Sequence, residues 1–306
     1  MLLKCLSVTS TIGAMLNAFG ALLFIPWSSF FFLMGITAKI SKTFIKDLLI
    51  SSIMVKIMAH RGASSIALEN SKEAFLKALE FKVDYVELDV RRCYTGELIV
   101  IHDSKVNRIS NGDGYVKMMS LKEIKSLIML NGEKILTLAE ALEILKGKCK
   151  VNIEIKSRNL DYEIADSISA LVEKMSMKED VIVSSFNHKV LRYLKHINPD
   201  VETAALFIRK KSPGVFLRRL HYIGTFIRKT KHIGSSHMNL PHQFVTKKVV
   251  EKARASGLKV NAWTVNSDKA ITRMVDIGVN SIITDYPQRF MNHSDKVLAD
   301  NYKLHP

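Results

Sequence analysis

Gly257–Asp285 reads GLKVNAWTVNSDKAITRMVDIGVNSIITD and contains one complete strand–helix–strand unit. Lys259–Val265 is a short β-rich run, and Asp268–Ile277 sets Ala270, Ile271, Met274 and Ile277 at helical spacing. Ser267-Asp268 opens that helix as an N-cap does, and Gly278 follows it where a C-cap glycine belongs. Ser281–Asp285 is then a second short apolar strand. Gly257 itself follows an earlier helical pattern, Thr246–Ala255, so the unit continues upstream.

The same alternation extends back to Val55. Strands are expected at Val55–His60, Tyr85–Val90, Val151–Lys156, Val181–Phe186, Glu202–Phe207 and Ser236–Leu240, besides the two above. Helical spacing recurs over Lys72–Phe81, Leu138–Leu145, Tyr162–Lys174 and Lys189–Ile197. Eight strands alternating with helices predict an α/β chain folded as a (β/α)8 barrel, the TIM architecture. A doubly wound open sheet is the alternative. Leu98–His102 follows the second strand across a turn at Thr95-Gly96, too soon for a helix, and is expected to form a hairpin-like arm at the barrel mouth. There is no Walker or dinucleotide glycine loop.

The chain has 306 residues, 45 Lys+Arg against 29 Asp+Glu, a net charge of +16 and 47% hydrophobic residues. Its mean hydropathy is slightly positive at +0.09. Disorder is excluded by the apolar content, and Cys5, Cys93 and Cys149 are too few and too scattered for a disulfide scaffold. The cysteines fit a reducing compartment. The charge points to an anionic partner. No nucleic-acid motif accompanies it, so nucleic acid is not the expected partner.

Between Lys4 and Lys39 no side chain is charged. A helix crossing a bilayer needs about 20 apolar residues, so this run suffices for one span but not two. Pro26 lies within it, which makes a re-entrant hairpin the alternative to a single span. Lys39, Lys42, Lys46 and Lys56 follow, opposed only by Asp47. The expected organisation is a membrane anchor and basic linker over 1–50, a barrel over 55–292 and a polar tail over 293–306. The positive-inside rule puts the barrel on the cytoplasmic side. A second basic stretch runs from Thr203 to Val250 without a single acid, mixing Arg209, Lys210, Lys211, Arg218, Arg219, Arg228, Lys229 and Lys231 with Phe207, Phe216 and Phe226. It reads as an insertion near the mouth, with 207–231 meeting an anionic membrane surface.

Barrel enzymes keep their chemistry at the C-terminal ends of the strands. Those ends supply His60-Arg61, Glu87-Leu88-Asp89, His102-Asp103, Glu154-Ile155-Lys156, Trp263 and Thr284-Asp285. Residues two apart on a strand share a face, so Glu87 and Asp89 point together, as do Glu154 and Lys156. Each has a structural reading on its own: a hydrogen-bonded histidine, a solvated acid, a core tryptophan. Jointly they are harder to explain, because inward charges in a barrel are unfavourable unless paired or metal-bound. The fitting chemistry is metal-assisted phosphodiester cleavage. Glu87, Asp89 and Glu154 suit a hard divalent cation, Mg²⁺ or Ca²⁺. Arg61 and Lys156 would hold phosphate oxygens, and two histidines would divide the proton transfers.

These residues stand in blocks that resemble the glycerophosphodiester phosphodiesterase family. The blocks are Ala59-His60-Arg61-Gly62, Leu68-Glu69-Asn70-Ser71, Val86-Glu87-Leu88-Asp89-Val90, Val100-Ile101-His102-Asp103, Asn152-Ile153-Glu154-Ile155-Lys156, Trp263-Thr264-Val265-Asn266 and Ile283-Thr284-Asp285-Tyr286-Pro287. The resemblance runs from about Met58 to Pro287. It implies a TIM barrel with an insertion at Ser104–Glu133 and a divalent cation on Glu87, Asp89 and Glu154. The acid–base pair would be His60 and His102, with Arg61 and Lys156 on phosphate. Glu69 would orient Arg61 or complete the metal shell, and Trp263 would wall the glycerol or lipid moiety. The family usually has Pro where Leu68 stands and Thr where Ser71 stands, and Cys93-Tyr94-Thr95-Gly96 lacks the acid common in its turn. The implied activity is metal-dependent hydrolysis of glycerophosphodiesters to sn-glycerol 3-phosphate and an alcohol. Two alternatives stand beside it: a lysophospholipase D acting on lysophospholipids in the bilayer, and a non-catalytic lipid-binding barrel.

Overall fold

The computed structural model describes residues 55–157, 161–208 and 219–290. The anchor, linker and tail expected over 1–50 and 293–306 lie outside the described residues. The strands are β1 (Lys56–His60), β2 (Tyr85–Arg92), β3 (Leu98–Val100), β4 (Lys150–Ile155), β5 (Val181–Ser185), β6 (Glu202–Leu206), β7 (His237–Pro241), β8 (Lys259–Trp263) and β9 (Ser281–Thr284). The helices are α1 (Lys72–Glu80), α2 (Leu121–Ser126), α3 (Leu138–Leu145), α4 (Glu163–Lys174), α5 (His188–Ile197), α6 (Arg219–Ile233), α7 (Lys247–Ala255) and α8 (Asp268–Ile277).

All strands but β3 pair in parallel, and β1 pairs with both β9 and β2. That second pairing closes the sheet into the eight-stranded barrel and removes the open doubly wound alternative. Alternation along each strand makes two cores. Ile57, Ala59, Val86, Leu88, Ile153 and Val183 face outward and pack with helix residues such as Phe75, Leu142, Ile168, Leu191 and Met274. Burying each such large side chain contributes about 1.5–3 kcal/mol. Met58, Tyr85, Ile182, Ala204 and Ile283 face inward and form a smaller cluster against Trp263. The inward positions above it are polar.

The helices begin where their caps dictate. Ser71 Oγ accepts the Ala74 N–H at 3.0 Å, and Ser120 with Glu123 and Thr137 with Glu140 complete capping boxes. Ser267 caps α8, and Gly278 ends it at φ 75°, a left-handed conformation that glycine adopts freely.

The arm is β3, antiparallel to the end of β2, and it stops at Val100 rather than His102. Beyond it, the segment leading to α3 has its own small core of Ile99, Ile101, Val106, Ile109, Val116, Ile124, Met129 and Ile135. Glu133 from this segment accepts the N–H groups of Lys72 and Glu73 at 2.9 and 3.1 Å, tying it to the start of α1.

Of the stretch 207–231, residues 209–218 lie outside the described residues, and Arg219–Ile233 is α6, the barrel helix between β6 and β7 rather than a segment inserted between them. Ile223 and Ile233 are buried in the main core, with Phe226 and Ile227 packed against it. The helix runs antiparallel to the strands, ending where Ser236 N–H meets Thr203 at the start of β6, 3.2 Å away. Arg228, Lys229 and Lys231 therefore occupy the half directed toward the barrel floor, away from the mouth. Among the described residues no helix is long and apolar enough to cross a membrane.

Candidate active site

The end of β1 turns sharply. Arg61 has φ 58° and Gly62 φ 80°, and a Cβ on Gly62 would lie 2.7 Å from the Ala74 backbone. The turn aims the Arg61 N–H at Glu87 Oε2, 2.8 Å away. Asn70, also in the left-handed region at φ 57°, is buried against Asp89. Its Nδ2 donates to Asp89 Oδ2 at 2.9 Å, and its Oδ1 accepts the Asp89 N–H at 3.2 Å. Two strained non-glycine residues thus hold the two carboxylates of β2 in place.

Glu87, Asp89 and Glu154 are buried and offer oxygens that all lie within 4.8 Å of one another. Parallel register brings them together, since Asp89 pairs with Glu154 across β2 and β4. Glu87 Oε1 has no hydrogen-bond partner within the protein. Burial, reinforced by Asp89, pushes the Glu87 pKa up to about 8. Burial also raises Glu154, against the pull of Lys156. For Asp89 burial is outweighed by Lys156 and Arg61, which hold its pKa below the usual range. Buried carboxylates this close, with an unpaired oxygen aimed inward, fit a hard divalent cation.

Positive groups surround this cluster. Lys156 Nζ lies 3.0 Å from Asp89 Oδ1 and 2.6 Å from Glu154 Oε1. Arg61 Nε lies 3.2 Å from Asp89 Oδ2, and its Nη1 donates to Glu69 Oε1 at 3.1 Å. Glu69 accepts from the guanidinium groups of Arg61 and Arg108 and stands outside the three-carboxylate cluster.

Both histidines are braced through Nδ1. His60 Nδ1 is 2.6 Å from Asp285 Oδ1, and Asp285 also receives Ser64 Oγ at 3.1 Å and Asn266 Nδ2 at 2.5 Å. His102 Nδ1 is 2.7 Å from Asp103 Oδ1. Burial lowers the His60 pKa, but Glu87 and Asp285 outweigh it and leave the group above its ordinary value. For His102 burial prevails over Asp89 and Asp103 and lowers the pKa. Arg91 ties the two sides of the mouth, donating to the His102 carbonyl at 2.7 and 2.9 Å and to the Lys156 carbonyl at 2.9 Å.

These groups line a cavity of about 240 Å³. One half is polar, with His60, Arg61, Glu87, His102, Asn152, Glu154 and Lys156; the other is apolar, with Phe186, Leu206, Ile208, Trp263 and Ile283. Trp263 meets Phe186 edge-on at 5.8 Å between ring centroids. All nine residues singled out from the sequence therefore fall in or beside one cavity. Sequence reasoning passed over Asn70, Arg91, Asn152, Ser184 and Phe186 as site residues, and gave no role to Asp103 or Asp285. The two aspartates were visible at strand ends. Asn152 and Ser184 were legible only as inward positions of β4 and β5.

Residues 60–289 match the Glycerophosphoryl diester phosphodiesterase family. The chain belongs to this family. A glycerophosphodiester phosphodiesterase from Caldanaerobacter subterraneus subsp. tengcongensis is 35% identical over 247 residues, covering 77% of this chain and 96% of the relative. Among solved structures, a glycerophosphodiester phosphodiesterase from Agrobacterium tumefaciens aligns with TM-score 0.66 and 28% identity over 78% of this chain and 100% of that one. A phosphodiesterase from Oleispira antarctica, solved in complex with the product sn-glycerol-3-phosphate, aligns with TM-score 0.69 and 25% identity over 80% of this chain and 98% of its own. The protein is thus a phosphoric diester hydrolase of the glycerophosphodiester phosphodiesterase type. That removes the non-catalytic lipid-binding barrel.

Proposed function

We propose that this member hydrolyses glycerophosphodiesters to sn-glycerol 3-phosphate and an alcohol, using a divalent cation and two histidines. The observation that carries this reading is the convergence of three buried carboxylates beneath two histidines that are each fixed through Nδ1. Bracing Nδ1 leaves Nε2 of each ring as the nitrogen for proton transfer. One histidine takes a proton from the attacking water, or from the glycerol hydroxyl in a first step whose cyclic phosphate water then opens, and the other protonates the departing alkoxide. Arg61 and Lys156 bind the phosphate oxygens and orient the diester. Trp263 and Phe186 wall the organic moiety. Glu87, Asp89 and Glu154 would hold Mg²⁺ or Ca²⁺, which would supply Lewis-acid stabilisation of the charge that builds on the phosphoryl oxygens. Chelation with EDTA is expected to abolish turnover of glycerophosphocholine, with Mg²⁺ or Ca²⁺ restoring it. Chelator-insensitive turnover would overturn the metal assignment.

A second reading extends the substrate to lysophospholipids held in a bilayer. It is supported by the apolar half of the cavity, where Phe186 is 43% and Ile208 64% exposed. It is also supported by the charge-free run in residues 5–38, read as a membrane anchor with the barrel on the cytoplasmic side. Contact with anionic lipid then falls to the N-terminal basic linker and to Lys247 and Lys248 at the start of α7. Comparing glycerophosphocholine in solution with lysophosphatidylcholine in vesicles separates the two substrates. Deleting residues 1–50 is expected to move the enzyme from the membrane pellet to the supernatant. Full retention in the pellet at high salt would contradict the anchor.

A further inference from the structure

Arg108 lies outside the barrel, in the segment between β3 and α2, and its side chain is half-exposed. Its guanidinium nevertheless reaches two carboxylates of the site. Nε donates to Asp103 Oδ2 at 2.5 Å, Nη2 to Glu69 Oε1 at 2.6 Å, and Nη1 to Glu69 Oε2 at 3.0 Å. Each carboxylate has a second partner. Asp103 Oδ1 holds His102 Nδ1 at 2.7 Å, and Glu69 Oε1 accepts from Arg61 Nη1 at 3.1 Å. One side chain therefore completes a continuous line, His102–Asp103–Arg108–Glu69–Arg61, between the two sides of the mouth.

We infer that Arg108 is a positioning residue for the reaction, setting the ring of His102 through Asp103 and the guanidinium of Arg61 through Glu69. The inference rests on the roles proposed above for His102 and Arg61. The backbone on either side of Arg108 is fixed. Val106 and Ile109 are buried in the core of the segment, and the Ile109 carbonyl accepts the Leu130 N–H at 2.9 Å. Three donors in one plane serve two carboxylates, a task that suits a guanidinium and exceeds a single ammonium. The hydrogen bond from Arg108 is the first reason that the Asp103 pKa falls to about 2, so Asp103 stays an ionised acceptor for the His102 N–H. Arg108 likewise helps hold Glu69 below the usual carboxylate range, against burial. The small core beyond β3 thus braces the site as well as packing against the barrel.

The test is steady-state kinetics of the full chain on glycerophosphocholine at saturating metal, with His102→Ala as the reference. Asp103→Asn is expected to lower kcat, Glu69→Gln to raise KM, and Arg108→Ala to do both, each by about tenfold or more. The double variant Arg108→Ala with Asp103→Asn should show little further loss of kcat beyond the larger single effect, because the two act along one line. Arg108→Lys keeps the charge and the fold but cannot span both carboxylates, so it should leave at least one parameter impaired. The inference is overturned if Arg108→Ala stays within about twofold of wild type in both parameters, if the kcat losses multiply in the double variant, or if Arg108→Lys restores both. Near-normal turnover by His102→Ala would instead overturn the two-histidine reading itself, which keeps the two failures apart.

Discussion

His60 and Asp285, 225 positions apart in sequence, meet at 2.6 Å between Nδ1 and Oδ1. The contact exists because β9 closes against β1, setting the polar end of the last strand beside that of the first. Asp285 is itself fixed by Ser64 and Asn266, and its pKa is held down to about 2, where hydrogen bonds and charge from His60 outweigh burial. It therefore remains an acceptor and presents Nε2 of His60 to the cavity.

Asp285→Asn is accordingly expected to lower kcat on glycerophosphocholine by about a hundredfold. KM should change little, because Asp285 is not among the residues that line the cavity. Steady-state kinetics on the purified variant checks this, and kcat close to wild type would contradict the proposed role of His60.

Gly62 bears on the same turn through sterics alone. With φ at 80° and the Ala74 backbone 2.7 Å from any added Cβ, Gly62→Ala must shift either the turn or the start of α1. A loss of about 2 kcal/mol or more in stability is expected, measured by denaturant unfolding. A variant as stable as wild type would show that the turn relaxes without penalty.

The barrel was legible in the sequence because eight short β-rich runs alternate with helical patterns, and helices such as α8 carry both caps. The three clustered carboxylates were legible from strand periodicity: Glu87 and Asp89 are two apart, and Glu154 stands two before Lys156. Helix α6 was hidden. Gly224 lies within it, and its apolar residues are interleaved with Arg228, Lys229 and Lys231, so the basic charge outweighed the helical period. Partners such as Asp285 for His60 and Arg108 for Glu69 depend on closure of the barrel and on the path of a loop. Neither contact leaves a fixed spacing in the chain.

At the opposite end of the barrel, Glu202 receives Lys259 Nζ at 2.8 Å and lies 3.3 Å from His237 Nε2. The hydrogen bond to His237, followed by that from Lys259, holds the Glu202 pKa well below the usual carboxylate range despite partial burial. A carboxyl depressed in the folded state stabilises above its unfolded pKa of about 4.3, and that contribution is lost as pH falls through the folded value. Glu202→Gln should therefore lower Tm at pH 7, by an amount equivalent to about 1 kcal/mol at most given its exposure. The gap from wild type should narrow as the pH drops below about 4. Thermal melts across that range check the sign, and a gap that widens on acidification would contradict it.

Phosphorus NMR of glycerophosphocholine turnover by the full chain, by His60→Ala and by His102→Ala, each at saturating Mg²⁺ or Ca²⁺, tests two-histidine phosphodiester hydrolysis most directly. Wild type should convert the diester to sn-glycerol 3-phosphate, and each variant should slow that conversion by about a hundredfold or more. Conversion by both variants at near wild-type rates, or a phosphorus product other than sn-glycerol 3-phosphate, would contradict it.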